Sequence, residues 1–323
     1  MNTLILLAAP LKDILDKVGS HPLAVLDNVR LNFTEGSLLT MNIVIAFVMF
    51  GVALNIDLKE FKSIWKHPKP FWLGACSQFV FLPLLTFLLV KILNPTPSVA
   101  LGMILVAACP GGNVSNFISL MSKANVSLSV SLTAFSTIAC VVLTPFNFWL
   151  YGTLYFSSVD VPFVHINFID MLQTVVLLLG LPVALGIFVG KRFPIFVKKI
   201  KKPMSYLSII VFIAFVIMAL KNNFDYFLKY IHLIFLLVLV HNALAFLTGY
   251  LTGKFGKLSD ANVRTLSIET GIQNSGLGLI LIFNPKLFDG LGGMAFITAF
   301  WGIWHIVAGM GLAALWSRKK MKE

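Results

Sequence analysis

Ile268–Gly276 reads IETGIQNSG and places one carboxylate and two carboxamides, those of Glu269, Gln273 and Asn274, inside an apolar run of membrane-spanning length. A charged side chain at the centre of a bilayer costs about 2.5–3.5 kcal/mol on insertion scales. Such groups are retained where they have a partner or line a cavity. The segment therefore predicts a polar site within the membrane rather than a lipid-facing helix.

The whole chain has the composition of an integral membrane protein. Of its 323 residues, 58% are hydrophobic and 12% are charged, whereas soluble globular domains carry about 25% charged residues. The formal net charge of +12 does not indicate nucleic-acid binding, because the Lys and Arg residues lie in short hydrophilic breaks between apolar runs, as they do in cytoplasmic loops. We therefore predict an all-α polytopic membrane protein, located in the cell (inner or plasma) membrane.

Nine apolar runs are long enough to cross the hydrocarbon core, which requires about 20 residues per helix. Most of the 25 Lys and Arg residues lie in segments that are cytoplasmic if the C-terminus is inside, so the N-terminus is predicted to be outside. Residues 1–37 are predicted to be an extracellular or interfacial segment, and residues 317–323 a basic cytoplasmic tail. The predicted spans are Leu38–Leu54, Phe71–Val90, Val99–Leu120, Ser127–Leu150, Met171–Gly190, Ser205–Leu220, Ile231–Leu251, Thr265–Phe283 and Leu291–Leu315.

Two of these spans are interrupted in comparable ways. The third contains ACPGGNVSN at Ala108–Asn116, and the eighth contains ETGIQNSG at Glu269–Gly276. Backbone groups that a break frees at membrane depth must be buried in protein or line a cavity. A pair of interrupted spans that run in opposite directions indicates the binding site of a secondary transporter. Two independent Pro/Gly kinks are the alternative, which the clustered polar side chains disfavour.

Glu269 is the only acidic residue well inside a predicted span, and no Lys or Arg is predicted at mid-span to pair with it. It is therefore either protonated or neutralised by a cation from solution. Hard cations prefer oxygen ligands, and Ser129 and Thr133, four residues apart, share one helix face. Each hydroxyl could instead bond its own helix, and Gln78 could be a packing residue. The neutral oxygen donors predicted at membrane depth include Gln78, Ser115, Asn116, Ser129, Thr133 and Gln273.

Each break is followed by a new half-helix, which is predicted to begin at Asn113 in the third span and at Asn274 in the eighth. Helix N-termini present unsatisfied N–H groups and partial positive charge. Two of them near the bilayer centre suit the carboxylate or sulfonate of an organic anion. His305, in the last span, either packs between helices or lines the same cavity.

At the two interrupted spans the chain resembles the bile acid:sodium symporter family. CPGGNVSN and IETGIQNSG match the two signature segments of that family, and the resemblance extends over about residues 38–316. It implies an inverted-repeat transporter of ten helices with panel and core domains, in which two broken helices cross. Because only nine spans are found, the family's first helix would be absent or reduced to Met1–Leu15. The panel would comprise approximately residues 38–56 and 169–221, and the core approximately residues 71–150 and 231–316.

The resemblance also implies two sodium sites and a substrate site. The residue after GG is Asn113 where the family commonly has Thr, and the last span reads WHI where some bacterial members have WHN. Because of these differences, the resemblance does not identify the substrate. By matching positions, sodium site one would comprise Ser115, Asn116, Ser129, Thr133 and Glu269; sodium site two would comprise Gln78, Glu269 and Gln273 with the carbonyls of Thr270 and Ile272; and Asn113, Asn274 and His305 would contact substrate.

We thus predict a sodium-coupled symporter that imports a bile salt-like anion or small organic acid by alternating access, with two sodium ions per substrate and a monomer sufficient. Three alternatives stay open: a proton-coupled transporter in which Glu269 titrates, a binding-only receptor, and an intramembrane enzyme that uses Glu269 with His241 or His305. The sequence lacks the HExxH and GxSxG motifs of known hydrolases, so we predict that the protein is not an enzyme.

Overall fold

A computed structural model describes residues 25–28, 35–54, 68–157, 167–200, 224–284, 287–288 and 290–318, with isolated positions at 203–204, 207 and 210. The regular secondary structure of these residues is helical throughout, which confirms the predicted all-α class. The helices are α1 (Val25–Asn28), α2 (Glu35–Ala53), α3 (Pro68–Leu93), α4 (Pro97–Ala108), α5 (Val114–Met121), α6 (Val126–Phe156), α7 (Phe168–Arg192), α8 (Phe224–Phe255), α9 (Asp260–Gly271), α10 (Ser275–Phe283) and α11 (Gly292–Arg318).

Five described helices are long and apolar enough to cross a membrane: α3, α6, α7, residues Ile234–Phe255 of α8, and α11. Each coincides with a predicted span. The two spans predicted to be interrupted are present as the pairs α4/α5 and α9/α10. The span predicted at 205–220 lies outside the described residues apart from two isolated positions, so the count of nine stays a prediction.

Two of the four half-helices, α4 and α10, are enclosed by protein. Every residue of α10 is buried, and so is every residue of α4 after Pro97. The surrounding helices expose large apolar side chains instead, such as Leu177 on α7 and Val142 on α6. This is the arrangement that lipid requires, because irregular backbone at membrane depth must be enclosed by protein.

Helices α8 and α9 pack with their backbones in direct contact. Gly249 and Gly253 are four residues apart in the segment GYLTG. A Cβ atom on Gly249 would overlap the Leu266 carbonyl, and one on Gly253 would lie 2.9 Å from Val263 Cα. Small residues at this spacing allow close helix packing in bilayers. Because α9 carries Glu269, the contact fixes the half-helix of the carboxylate against a long helix.

Two long helices contain a single wide π turn ahead of a proline. In α3 the turn is Ser77–Phe81 and Pro83 follows it; in α7 it is Val176–Gly180 and Pro182 follows. Proline has no N–H and clashes with the carbonyl four residues earlier. Widening one turn accommodates the ring, and such turns occur frequently at functional sites. The turn in α3 contains Gln78.

The start of the chain contributes one short contact to the described bundle. Leu26 in α1 is fully buried in the main apolar cluster. Asp27 Oδ1 accepts a hydrogen bond of 2.8 Å from the Ser98 amide, in the first turn of α4. This part of the predicted N-terminal segment therefore packs against the bundle, while residues 1–24 and 29–34 lie outside the described residues.

Candidate ion and substrate site

The two breaks cross and pair with each other through their backbones. Gly111 and Gln273 form an antiparallel bridge. The Gly112 amide donates to Ile272 O at 2.9 Å, and the Asn274 amide donates to Pro110 O at 2.7 Å. Each break thus satisfies backbone groups that the other has freed, as membrane depth demands. The predicted crossing of two broken helices is confirmed.

Side chains from neighbouring helices satisfy the carbonyls at the two ends that precede the breaks. Thr144 Oγ1 on α6 donates to Ala108 O at 2.7 Å. Asn242 Nδ2 on α8 donates to Gly271 O at 2.8 Å. All four residues are buried. A buried carbonyl without a partner is costly, so these two bonds fix the ends of α4 and α9 where the polar site begins.

The five residues predicted for sodium site one lie together in contact. Glu269 is fully buried, and its carboxylate accepts from Ser115 Oγ at 2.5 Å, from Ser129 Oγ, and from Thr133 Oγ1 at 3.1 Å. Asn116 Oδ1 lies 2.9 Å from Ser129 Oγ. Helices α5, α6 and α9 therefore direct their oxygen atoms toward one point. We name these five residues the hydroxyl cluster.

The hydroxyl cluster has more close oxygen–oxygen approaches than its hydroxyl hydrogens can fill. Ser129 Oγ lies within hydrogen-bond distance of Glu269 Oε1 and of Asn116 Oδ1. Thr133 Oγ1 lies 3.3 and 3.1 Å from the two Glu269 oxygens and 3.4 Å from Asn116 Oδ1. A hydroxyl has one hydrogen to donate. The hydroxyl hydrogens can be directed at only some of these oxygens, so lone pairs remain that can face a cation or an additional proton, and the donor set fits a hard cation.

Of the residues predicted for sodium site two, Gln78 contacts Glu269 and Gln273 contacts the Thr270 carbonyl. Gln78 Nε2 lies 3.0 Å from Glu269 O and 3.4 Å from Glu269 Oε2, and Gln273 Nε2 donates to Thr270 O at 2.8 Å. Within the described part of the chain, Oε1 of Gln78 and Oε1 of Gln273 are buried without a hydrogen-bond partner. A buried acceptor without a partner costs roughly 1–3 kcal/mol, so both oxygens fit a cation. We name Gln78 and Gln273 the carboxamide pair.

Gly111 allows the first break to approach this second group of oxygens. A Cβ atom there would lie 3.0 Å from Gln78 Nε2 and 3.2 Å from Glu269 Oε2. The Ile272 carbonyl directly precedes Gln273 in the chain, and it already accepts a hydrogen bond from the Gly112 amide. A carbonyl oxygen has two lone pairs, so Ile272 O retains one for a further ligand, as does Thr270 O.

Residues 42–230 match the family model described as the sodium bile acid symporter family. The protein belongs to this family. It is 31% identical, over 91% of this chain and 89% of the relative, to the "uncharacterized sodium-dependent transporter YocS" of Bacillus subtilis. It is 29% identical to the "probable sodium/metabolite cotransporter BASS1, chloroplastic" of Arabidopsis thaliana, over 86% of this chain and 67% of the relative. It is 28% identical to the "sodium-dependent organic anion transporter" of Rattus norvegicus, over 87% of this chain and 74% of the relative.

Family membership makes the chain a multi-pass membrane transporter rather than an enzyme. The long apolar helices of the described residues agree with this assignment. The side of the membrane on which each terminus lies stays a prediction, and so does the division into panel and core.

The three residues predicted to contact substrate occupy different environments. Asn113 is exposed at the residue before α5, and its side chain does not cap that helix. Asn274 is partly buried, and its Oδ1 caps α10 by accepting from the Leu277 amide at 3.1 Å. His305 is buried, and its Nδ1 has no partner in the described part of the chain. No hydrogen bond between described residues joins the three, so their common role stays a prediction.

Sequence reasoning missed one buried basic residue. Arg264 directly precedes the predicted span Thr265–Phe283, but it lies within α9 and is buried. Its Nη1 donates to Ser122 O at 2.8 Å and to Trp316 O at 3.1 Å, so it joins the ends of α5 and α11 to α9. The signal in the sequence was Ser259 followed by an acidic residue, a pattern typical of a helix start.

Proposed function

We propose that the protein is a sodium-coupled symporter that carries an organic anion across the membrane by alternating access. The observation that carries this proposal is the environment of Glu269, a fully buried carboxyl group among oxygen atoms. Its described side-chain partners are hydroxyls and one carboxamide, with no basic group. A buried anion needs a counter-charge, and a cation from solution supplies one.

Two sodium ions are bound at Glu269, one on each side of its carboxyl group. The hydroxyl cluster holds the first ion. The carboxamide pair holds the second, together with the carbonyls of Thr270 and Ile272. Support for the second site comes from the two buried Oε1 atoms that lack partners among the described residues.

Charge balance couples the ions to the substrate. Glu269 contributes one negative charge, two sodium ions contribute two positive charges, and a monovalent organic anion contributes one negative charge. The fully loaded site is neutral, and so is the site with one sodium ion alone, whereas adding only the second sodium ion or only the anion leaves a net charge in a region of low dielectric constant, where unpaired charge is costly. The second sodium ion and the anion therefore bind cooperatively, and protein that has bound only one of these two changes its access less readily than the fully loaded protein.

The substrate is an organic anion, either bile salt-like or a small organic acid. It lies between core and panel at the starts of α5 and α10, where Asn113 and Asn274 precede new half-helices. The partial positive charge at these helix starts suits an anionic group. His305 on α11 contributes to the same region. The names of relatives in the family refer to metabolites, bile acid and organic anions.

Uptake into proteoliposomes tests the proposal. Purified protein is reconstituted, and accumulation of a panel of labelled organic anions is measured with an inward sodium gradient at constant pH. At least one anion is expected to accumulate above its external concentration, and replacing sodium by potassium is expected to remove the accumulation. Uptake that is equal in the two buffers would contradict sodium coupling.

A proton-coupled transporter is the second candidate, because a proton on Glu269 would also fill one of the close oxygen–oxygen approaches in the hydroxyl cluster. It predicts accumulation driven by an inward proton gradient in potassium buffer. The same vesicles distinguish the two candidates when the sodium and proton gradients are applied separately.

A further inference from the structure

Pro83 removes the usual helical donor of the Phe79 carbonyl in α3. It lies four residues after Phe79 and has no N–H. The preceding bond of the helix is shifted as well, because the Leu82 amide donates to Ser77 O, five residues earlier. The Phe79 carbonyl is therefore without its usual donor at membrane depth, where no water replaces it.

Asn147 on α6 supplies the missing donor. Its side chain is buried, and Nδ2 donates to Phe79 O at 2.9 Å. A carboxamide in a membrane-spanning helix is itself expensive to bury, so a bond to an unsatisfied carbonyl offsets two costs at once. Thr144, three residues earlier on α6, makes the same kind of bond to Ala108 O. Helix α6 thus donates to carbonyls at two irregular points of neighbouring helices.

The turn that Asn147 holds is the turn that presents Gln78. Gln78 directly precedes Phe79, and its Nε2 lies 3.0 Å from Glu269 O. Gly111 leaves room for this amide, since a Cβ there would lie 3.0 Å from Gln78 Nε2. If the Phe79 carbonyl loses its donor, the turn is free to change its hydrogen-bonding register, and Gln78 changes direction with it.

We infer that Asn147 is a positioning residue for sodium site two: by donating to the Phe79 carbonyl it holds the wide turn of α3 so that the Gln78 carboxamide faces Glu269. The inference rests on the proposed function and deepens it. It requires no contact between Asn147 and the ion. Its consequence is that the sodium dependence of transport is sensitive to a residue whose described hydrogen bond goes to Phe79 O rather than to an ion ligand.

Two substitutions test this role. Asn147→Leu removes the donor and keeps a similar volume, and Asn147→Ala removes the donor without adding another polar group. Both are expected to raise the sodium concentration for half-maximal uptake about threefold to tenfold, the factor that corresponds to one hydrogen bond. The maximal rate at saturating sodium and the amount of protein in the membrane are expected to stay near wild type. A purely structural role would lower the amount or the melting temperature and leave the half-saturating sodium concentration unchanged, which would overturn the inference.

Thr248→Val is the matched control. Thr248 is buried and its hydroxyl donates to Leu244 O of its own helix at 2.7 Å. This substitution also removes a buried side-chain bond to a carbonyl, but that carbonyl belongs to α8 and not to α3. Its half-saturating sodium concentration is expected to equal that of wild type.

A double-mutant cycle separates action through Gln78 from a general effect. Residues that act through one another give non-additive changes, whereas independent sites give additive ones. The half-saturating sodium concentration of Gln78→Ala/Asn147→Leu is therefore expected to match that of Gln78→Ala alone. A further rise equal to that of Asn147→Leu by itself would overturn the inference.

The same data distinguish failure of the inference from failure of the proposed function. If wild-type uptake does not depend on sodium, the proposed function is wrong. If wild-type uptake depends on sodium and both Asn147 variants keep the wild-type half-saturating concentration, only the role of Asn147 is wrong. For a variant that transports too slowly to measure, the sodium-induced rise in melting temperature of purified protein provides the same comparison, since a ligand stabilises the state that it binds.

Discussion

The two candidate ion sites share Glu269 but are built in different ways. In the hydroxyl cluster, Ser115, Ser129 and Thr133 all direct their hydroxyl groups at the carboxylate. In the carboxamide pair, the two Oε1 atoms have no partner among the described residues. Hydroxyls can donate to Glu269 or turn their lone pairs toward a cation. A carboxamide oxygen can only accept, so it is satisfied only when a donor or a cation is present.

This difference indicates how each site depends on the rest of the fold. Two members of the hydroxyl cluster, Ser129 and Thr133, lie on one face of α6 and are placed by helical spacing alone. Gln78 is placed by a widened turn and by close approach to Gly111. We therefore expect site one to tolerate the loss of one ligand better than site two does.

The largest expected effect is at the residue that the two sites share. Glu269→Gln keeps the shape of the side chain and removes its charge from both sites. Sodium-driven uptake is expected to fall about 100-fold or more, because each ion loses the attraction of a unit negative charge, and a 100-fold loss corresponds to about 2.8 kcal/mol. Uptake by proteoliposomes measures this, with the melting temperature as a check on folding. Retention of sodium-dependent uptake would show that the shared carboxylate does not couple the ions.

The next largest effect on sodium-driven uptake is expected for Gln78→Ala, which changes site two alone. It removes one of the two side-chain oxygens that lack partners there. We expect about a tenfold increase in the half-saturating sodium concentration, which corresponds to about 1.4 kcal/mol, together with a less cooperative sodium dependence. A titration of uptake against sodium concentration provides both values. An unchanged titration curve would remove Gln78 from the site.

Thr133→Val is expected to have a smaller effect in the hydroxyl cluster. Valine has nearly the same shape, and the other hydroxyls of the cluster still face Glu269. A threefold change or less, about 0.6 kcal/mol, is expected in the half-saturating sodium concentration, with cooperativity retained. If Thr133→Val weakened sodium dependence more than Gln78→Ala, the proposed difference between the two sites would be reversed.

Thr137→Val, one turn along α6 from Thr133, is the control with the smallest effect. The Thr137 hydroxyl donates to Thr133 O of its own helix at 2.8 Å. Its removal leaves the oxygens around Glu269 in place. The titration curve is expected to coincide with that of wild type. A shift as large as that of Thr133→Val would mean that loss of any hydroxyl on α6 weakens the sodium dependence, whether or not that hydroxyl faces Glu269.

The sequence predicted the parts of this site that depend on local pattern. Pro110, Gly111 and Gly112 mark the first break, and polar residues within an apolar run mark the second. Each half-helix begins directly after the asparagine from which its start was predicted, Asn113 or Asn274. These features could be inferred because helix breaking and helix starts are encoded within a few residues.

Other parts of the site depend on which helices pack against each other, and this packing cannot be inferred from local sequence patterns. Asn147 and Phe79 are 68 positions apart, and their bond follows from the packing of α6 against α3. The buried position of Arg264 likewise depends on Ser122 and Trp316, at the ends of two other helices. Long-range contacts of this kind set the details of site two, which is why its ligands were predicted from family resemblance and not from spacing.

Binding of radioactive sodium to purified protein tests the central claim most directly, because it requires neither a known substrate nor transport. Wild-type protein in potassium buffer is titrated with labelled sodium, alongside Glu269→Gln protein of equal melting temperature. The account predicts saturable sodium binding to the wild type and loss of that binding in the variant. Equal saturable binding to both proteins would contradict it.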